Sequence, residues 1–357
     1  MKAAICREFG APLSIESAQI SEPGDKDIAV QTKACAICHS DIAYASGKWG
    51  GTLPAVYGHE AAGIVTSVGS HVTDFKKGDH VLVTLIRSCG KCGACCSGHP
   101  TSCARAYDDD PSPLNSEDGS PLVQGMKTGG FAEQMVVHES QCVALPESLP
   151  FDTASLLACG VITGVGAVVN SALLQSGSTA LVIGAGGVGL NTIQGCAIAG
   201  ASSIIAVDLS EEKLTAAKEF GATDALLSDD TLGEKVKSLT NGQGVDYVFV
   251  TVGIASVFQS APDFLAAGGK MIMVGMTGID DEVSYKPVNL AAMNQSLIGS
   301  RMGQTVLPRD IPWLLKLYAD GRLKLDELIS NRYSLEEINE AFDNTSKGHS
   351  RRNVIVF

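Results

Sequence analysis

Four cysteines, Cys89, Cys92, Cys95 and Cys103, stand in a C-x2-C-x2-C-x7-C spacing. Thiolates this close in sequence can close a tetrahedron around zinc, and a site with four protein ligands leaves no open position, so it is structural. Gly90, Gly93 and Gly98 help the chain fold around an ion, Lys91 is placed to offset thiolate charge, and Cys96 is a neighbouring thiol able to compete as a ligand. The chain holds 11 cysteines, an odd number, and in a large intracellular enzyme such a cluster favours metal ligation over disulfides. A second chemical motif is Gly184-Ala185-Gly186-Gly187-Val188-Gly189. A lone GxGxxG is weak evidence. Here an apolar strand at 179–183 precedes it, a helix follows, and a second strand at 203–207 leads into Asp208. Gly184 permits the tight turn, Gly186 lets the backbone approach a pyrophosphate, and Gly189 lets helix and strand pack closely. The helix N-terminus then faces the phosphates with its positive end. Asp208 is expected to accept bonds from the adenosine ribose and to repel a 2′-phosphate, which favours NAD over NADP; Leu209 and Ser210 supply no arginine to reverse that choice.

Three further candidates are scattered: Cys38 in Cys38-His39-Ser40-Asp41, His59 in Gly58-His59-Glu60, and Cys159 in Cys159-Gly160-Val161-Ile162-Thr163-Gly164. No spacing rule joins them. On local evidence alone His59 reads as an ordinary histidine and Cys159 as an ordinary core cysteine.

The elements that must position these groups fall into two textures. Up to about residue 150 the chain shows short β-like runs, such as 61–69 and 79–83, separated by Gly, Asp and Pro turns, and Met1–Ile5 reads as a first strand. Residues 104–130, with Asp108, Asp109, Asp110, Glu117 and Asp118, read as an exposed acidic loop. From about residue 160, apolar strands at 179–183, 203–207, 245–250 and 270–274 alternate with helical stretches such as Glu211–Phe220, the rhythm of a doubly wound parallel sheet. The last 55 or so residues return to a mixed pattern and end on a strand at 353–357. The fold class is therefore α/β, with a mostly β domain at 1–160 and 301–357 and a Rossmann domain at 161–300. A net charge of −13 argues against nucleic acid and anionic membranes as partners. The most apolar long stretch, Leu156–Val169, is too short to span a bilayer, and no signal peptide is visible, so a cytoplasmic location is expected.

These motifs, in this order, resemble the zinc-containing alcohol dehydrogenases of the medium-chain dehydrogenase/reductase superfamily over essentially the whole length. The resemblance implies a GroES-like catalytic domain, two zinc ions per chain and NAD. It implies that Cys38, His59 and Cys159 hold a catalytic zinc whose fourth position takes water or substrate, the open site a Lewis acid needs. Glu60 then sits behind the metal, and Asp41 orients His59. Zinc lowers the pKa of an alcohol, and hydride passes to the nicotinamide. Ser40 corresponds to the hydroxyl that bonds the substrate oxygen. Many relatives complete the proton relay with a histidine three residues later; here Ala43 stands there, leaving His39, water or the cofactor ribose for proton exit. Arg352, with Arg351 as alternate, resembles the arginine that binds the pyrophosphate; His39 faces the same phosphate, Lys213 the adenosine ribose, and Thr163 the nicotinamide. Trp49 and Leu85 correspond to pocket positions and suggest a primary or secondary alcohol with an apolar or aromatic body, with the 104–130 loop as an outer wall. The alternative reaction is oxidation of an S-hydroxymethyl thiol adduct, which the acidity of that loop opposes where the thiol is anionic glutathione. A homodimer or homotetramer is expected, joined at the sheet edge through 283–300.

Overall fold

A computed structural model describes residues 1–106, 110–348 and 350–357. Asp108, Asp109 and His349 lie outside the described residues. The chain groups into two compact units, Met1–Cys159 with Val306–Leu315 and Leu325–Phe357, and Gly160–Thr305 with Lys316–Lys324. The expected boundary at 301 thus falls at Val306, and 316–324 joins the second unit. The reason is local: the Gln194 side chain accepts from the Lys324 N–H at 2.7 Å and donates to the Lys324 carbonyl at 3.1 Å.

The first unit is built on two sheets. One has the strand order Leu114–Ser116, Ser14–Ile20, Lys2–Cys6, Ala55–Val56, Val123–Gln124 among the described residues. The other runs Cys142–Ala144, His80–Thr84, Glu60–Val68, Asp27–Ala36, Arg352–Val356, Ile329–Tyr333, with Gln134–His138 also on Asp27–Ala36. Alternation sends Ile28, Val30, Val65, Val81 and Val83 into one core with Phe131 and Ile355. The terminal strand Arg352–Val356 lies beside Asp27–Ala36, which ties the chain's end to its beginning.

The segment 104–130 is not the exposed loop that its polarity suggests. Leu114 and Leu122 are buried with Ala3, Ile5 and Val56, and two short strands extend the smaller sheet. Two well-placed leucines are enough to bring a polar stretch onto a sheet.

The second unit has six parallel strands among its described residues, in the order Asp224–Leu227, Ser203–Asp208, Thr179–Ile183, Val245–Val250, Leu265–Met273, Ser296–Gly299. This is the 3-2-1-4-5-6 order of the dinucleotide-binding fold, with the switch point at the carboxyl end of Thr179–Ile183. Leu181, Ile205, Val207, Val248 and Val250 are buried, as expected for strands covered on both faces. Ser210 accepts from the Lys213 N–H to start the helix Glu211–Glu219. Among the described residues no single helix is long and apolar enough to cross a membrane, and residues 156–168 are buried, with Val169 half-buried.

Candidate active site and metal centres

The dispersed candidates converge. One donor atom each from Cys38, His59, Glu60 and Cys159 lies within 4.8 Å of every other, and all four residues are buried. Cys38 ends the turn after strand Asp27–Ala36 and precedes the helix His39–Ala45, while His59 leads directly into strand Glu60–Val68. Asp41 organises this junction. It is fully buried, and its Oδ2 accepts the Cys38 N–H at 3.0 Å while Oδ1 accepts the Gly58 N–H at 3.0 Å and contacts His59 Nδ1 at 3.0 Å. That contact places the proton on Nδ1 and leaves the Nε2 lone pair for the cluster. Nε2 is buried and makes no hydrogen bond. A buried, unpartnered imidazole nitrogen facing two sulphurs fits a metal ion, which would take the lone pair.

The electrostatics fit as well. Hydrogen bonding from the Cys159 thiol, set against burial and aided by His59, holds the Cys38 thiol well below its ordinary value. The same contact and burial push Cys159 well above it. Two thiols sharing one proton in a buried site are the condition that a divalent cation relieves. Burial works against charging His59, and the Asp41 carboxylate outweighs it and raises the pKa. Burial pushes Glu60 up to about 7, against the pull of Arg352, with which it is ion-paired. Arg352 is itself buried, so its guanidinium is turned to Glu60. Ser40 Oγ, in the first turn of the helix His39–Ala45, lies 3.6 Å from Sγ of Cys38, the residue that precedes that helix, and His39 is exposed. Nearby, Trp49 meets Tyr44 edge-on at 5.4 Å and Tyr44 stacks on Tyr57 at 6.0 Å, giving an aromatic wall next to that helix; Leu85 is half-buried.

The sulphurs of Cys89, Cys92, Cys95 and Cys103 form a second group within 4.8 Å. Cys92 and Cys103 Sγ are 3.9 Å apart, close to the roughly 3.8 Å that a tetrahedron with about 2.3 Å zinc–sulphur bonds requires. Backbone N–H groups already point at the sulphurs: Cys89 and Arg105 donate to Cys103, and Cys92 donates to Cys89. The N–H groups of Cys95 and Ala104 bring Cys92 down to about 6, and that of Lys91 lowers Cys89. Lys91 thus acts on this group through its backbone, while its side chain is exposed. Burial and the hydrogen bond with Cys92 push Cys95 up to about 12. Cys96 is exposed and outside the group.

In the second unit, Gly184 has φ +98° and a Cβ on Gly189 would sit 1.8 Å from the Gly184 carbonyl, so both positions demand glycine. A Cβ on Gly186 would meet nothing within 4 Å, which leaves open space at the N-terminus of the helix Gly187–Ala199 where a pyrophosphate fits. Val188 lies in the first turn of that helix and is half-buried. Asp208 is held by the Ala185 N–H at 2.8 Å and the Ser210 N–H at 3.1 Å, which fixes its carboxylate beside the glycine loop. Lys213 is half-buried one turn on. Thr163 is buried, with its hydroxyl 3.7 Å from the Met302 sulphur. The sequence reading did not foresee the Glu60–Arg352 pair or the backbone donors in the cysteine lobe. The first needs the long-range pairing of the terminal strand, and the second carries no side-chain signal.

Residues 24–147 match the alcohol dehydrogenase GroES-like domain and residues 187–320 the zinc-binding dehydrogenase domain. The chain is 35% identical to the class-3 alcohol dehydrogenase of Pisum sativum, over 99% of this chain and 97% of that protein. It is 36% identical to a probable S-(hydroxymethyl)glutathione dehydrogenase 1 of Schizosaccharomyces pombe, over 99% and 96%. The crystal structure of benzyl alcohol dehydrogenase from Acinetobacter calcoaceticus superposes with a TM-score of 0.93 at 28% identity, covering 100% of this chain and 99% of that one. With both halves matched and the likeness running end to end, the chain belongs to the zinc-containing alcohol dehydrogenase family of the medium-chain dehydrogenase/reductase superfamily and is a zinc-dependent alcohol oxidoreductase.

Proposed function

We propose that the protein oxidises a primary or secondary alcohol with an apolar or aromatic body, using NAD, at the Cys38–His59–Cys159 centre. The carrying observation is that centre itself: two buried sulphurs facing an unpartnered His59 Nε2 whose other nitrogen is fixed by Asp41. Zinc bound there supplies a Lewis acid that lowers the pKa of an alcohol hydroxyl. NAD supplies the hydride acceptor. The protein's own part is to orient and to move protons. Ser40 is placed beside Cys38 to accept the alcohol proton, and Ala43 ends any side-chain relay along that helix, so the proton leaves through exposed His39 or water. Glu60, held by Arg352, offers the centre a further oxygen donor. Gly184, Gly186, Gly187, Val188 and Gly189 receive the pyrophosphate. Asp208 and Lys213 face the adenosine ribose, and Thr163 faces the nicotinamide. Arg352 binds the pyrophosphate only if its guanidinium leaves Glu60. Cys89, Cys92, Cys95 and Cys103 hold the structural zinc.

Trp49, Tyr44 and Tyr57 support an aromatic substrate, as does the likeness to benzyl alcohol dehydrogenase. A second reading, oxidation of an S-hydroxymethyl thiol, is supported by the likeness to the Schizosaccharomyces pombe protein. Exposed Glu117 and Asp118 oppose an anionic thiol such as glutathione. Following NAD reduction with benzyl alcohol, and with formaldehyde in the presence and absence of glutathione, separates the two: a strict thiol requirement would replace the first reading by the second. We further propose a cytoplasmic homo-oligomer joined through 283–300, whose strand Ser296–Gly299 is the edge of its sheet and whose Val288 is exposed. Light scattering of the purified protein tests it, and a monomer would refute it.

A further inference from the structure

The strand Arg352–Val356 is held at its start by one buried amide. Asn353 is fully buried, and its side chain meets three other segments of the chain. Its Oδ1 accepts from Asn331 Nδ2, on the neighbouring strand Ile329–Tyr333, at 3.1 Å. Its Nδ2 faces the Thr345 hydroxyl at 2.8 Å, Asn344 Oδ1 at 2.9 Å and the Ser350 hydroxyl at 3.0 Å, so two protons are shared among three oxygens. Thr345 gives its own proton to the Ala341 carbonyl at 2.8 Å, which leaves its oxygen to accept from Asn353. Asn344 and Thr345 belong to the helix Ile338–Ser346, and Ser350 stands on the approach to the strand.

The main chain of Asn353 reaches the metal centre. Its carbonyl accepts the Ile37 N–H at 2.9 Å, one residue before Cys38. Opposite Arg352 and Asn353 the neighbouring strand bulges. The register passes from Ile329 beside Arg352 to Asn331 beside Asn353, with Ser330 as the extra residue. A bulge re-aims the side chain next to it. This one is pinned on both sides, by the Asn331–Asn353 bond and by the Ser330 hydroxyl, which accepts the Arg351 N–H at 2.8 Å. Alternation along the strand then sends Arg352 to the face opposite Asn353, where it is buried and ion-paired with Glu60. Its Nε is buried and makes no hydrogen bond among the described residues. Arg351 is committed elsewhere, to the Glu327 carbonyl at 3.1 Å.

We propose that Asn353 is the positioning residue for Arg352: it fixes the backbone from which the guanidinium exchanges Glu60 for the cofactor pyrophosphate. The inference rests on the reading of Arg352 given above. Asn353 touches neither cofactor nor metal. A guanidinium recognises phosphate through a planar fork, so its value depends on where the backbone presents it. A leucine of similar size would leave the Thr345 hydroxyl and the Asn344 amide oxygen without their donor and would unpin the bulge beside Arg352.

The test measures NADH affinity by fluorescence, zinc per chain and melting temperature in wild type, Asn353→Leu, Arg352→Gln and the double variant. Each single change should weaken NADH binding by about tenfold or more. The double variant should bind within about twofold of Arg352→Gln alone, because a residue that acts through Arg352 has nothing left to position. Both zinc ions should remain. Full additivity in the double variant would show that Asn353 acts on something other than Arg352 and overturn the proposal. A lower melting temperature with unmoved NADH affinity would make Asn353 a structural residue only, with the same consequence. Loss of a zinc ion would also overturn it, by showing that Asn353 serves Cys38 through Ile37. If Asn353→Leu does not fold, Asn331→Ala, at an exposed position, removes the bond across the bulge and decides. It should weaken NADH binding in wild type and not in the Arg352→Gln background; unmoved affinity in wild type refutes the proposal. Arg352→Gln that binds NADH as wild type does refutes the reading of Arg352 and the proposal together. A weakened Arg352→Gln beside an unaffected Asn353→Leu refutes only the proposal.

Discussion

Replacing Asp41 by asparagine changes one charge and almost no volume at the hinge of the metal centre. The carboxylate takes three contacts, two on Oδ1 from Gly58 N–H and His59 Nδ1 and one on Oδ2 from Cys38 N–H, each at 3.0 Å. An asparagine keeps the most bonds by leaving its oxygen at the Oδ1 position. Its NH2 then faces the Cys38 N–H, donor against donor. One hydrogen bond to a charged acceptor is lost, worth about 1.5–3 kcal/mol, and no water replaces it at a fully buried site. The alternative flip loses two contacts and frees His59 to change tautomer. The loss falls on the backbone of one ligand and on the ring orientation of another. A cost of about 1.4–2.7 kcal/mol corresponds to a 10- to 100-fold drop in metal affinity, the usual range for losing such an orienting partner. Dialysis against a graded series of chelator concentrations, with zinc counted per chain, reads this directly. One zinc should leave Asp41→Asn at about 10- to 100-fold less chelator than wild type needs, while the zinc of the cysteine lobe stays. Equal retention of both ions in variant and wild type would refute the role given to Asp41.

Ser40→Ala should depress single-turnover hydride transfer by about 10²- to 10⁴-fold, with Ser40→Thr keeping much of the rate; near-normal transfer in the alanine variant would assign the alcohol proton to another group. Asp208→Ala should narrow the preference for NAD over NADP in kcat/KM, and a wild type that already prefers NADP would contradict the reading of Asp208. The glycine loop gives a paired test. A Cβ at Gly189 collides with the Gly184 carbonyl at 1.8 Å and should prevent stable folding of the unit, whereas a Cβ at Gly186 meets nothing. Gly186→Ala should therefore melt near the wild-type temperature but bind NADH more weakly; unchanged NADH affinity would place the pyrophosphate elsewhere.

Much of this was legible because the informative signals are local. The glycine loop, Asp208 and the four-cysteine lobe each lie within a short stretch, and backbone geometry at Gly184 and Gly189 shows why those residue types are required. Cys38, His59 and Cys159 were different: nothing in their spacing joins them, and only the resemblance brought them together before the fold did. The 104–130 segment misled because its charge density hid Leu114 and Leu122, two residues that carry its burial. The burial of Arg352 against Glu60 was out of reach for another reason. An arginine in a run of polar residues reads as surface, and only the pairing of the last strand with Asp27–Ala36 places it beside the metal donors.

The most direct test of a zinc centre formed by Cys38, His59 and Cys159 is to count zinc and follow NAD reduction in the same preparations of wild type and Cys159→Ser. Wild type should carry two zinc ions per chain and reduce NAD with benzyl alcohol. Cys159→Ser should carry one, fold with its cysteine lobe intact, and show no alcohol-dependent NAD reduction. A fully active wild type with a single zinc, or a Cys159→Ser variant that retains both zinc and activity, would contradict it.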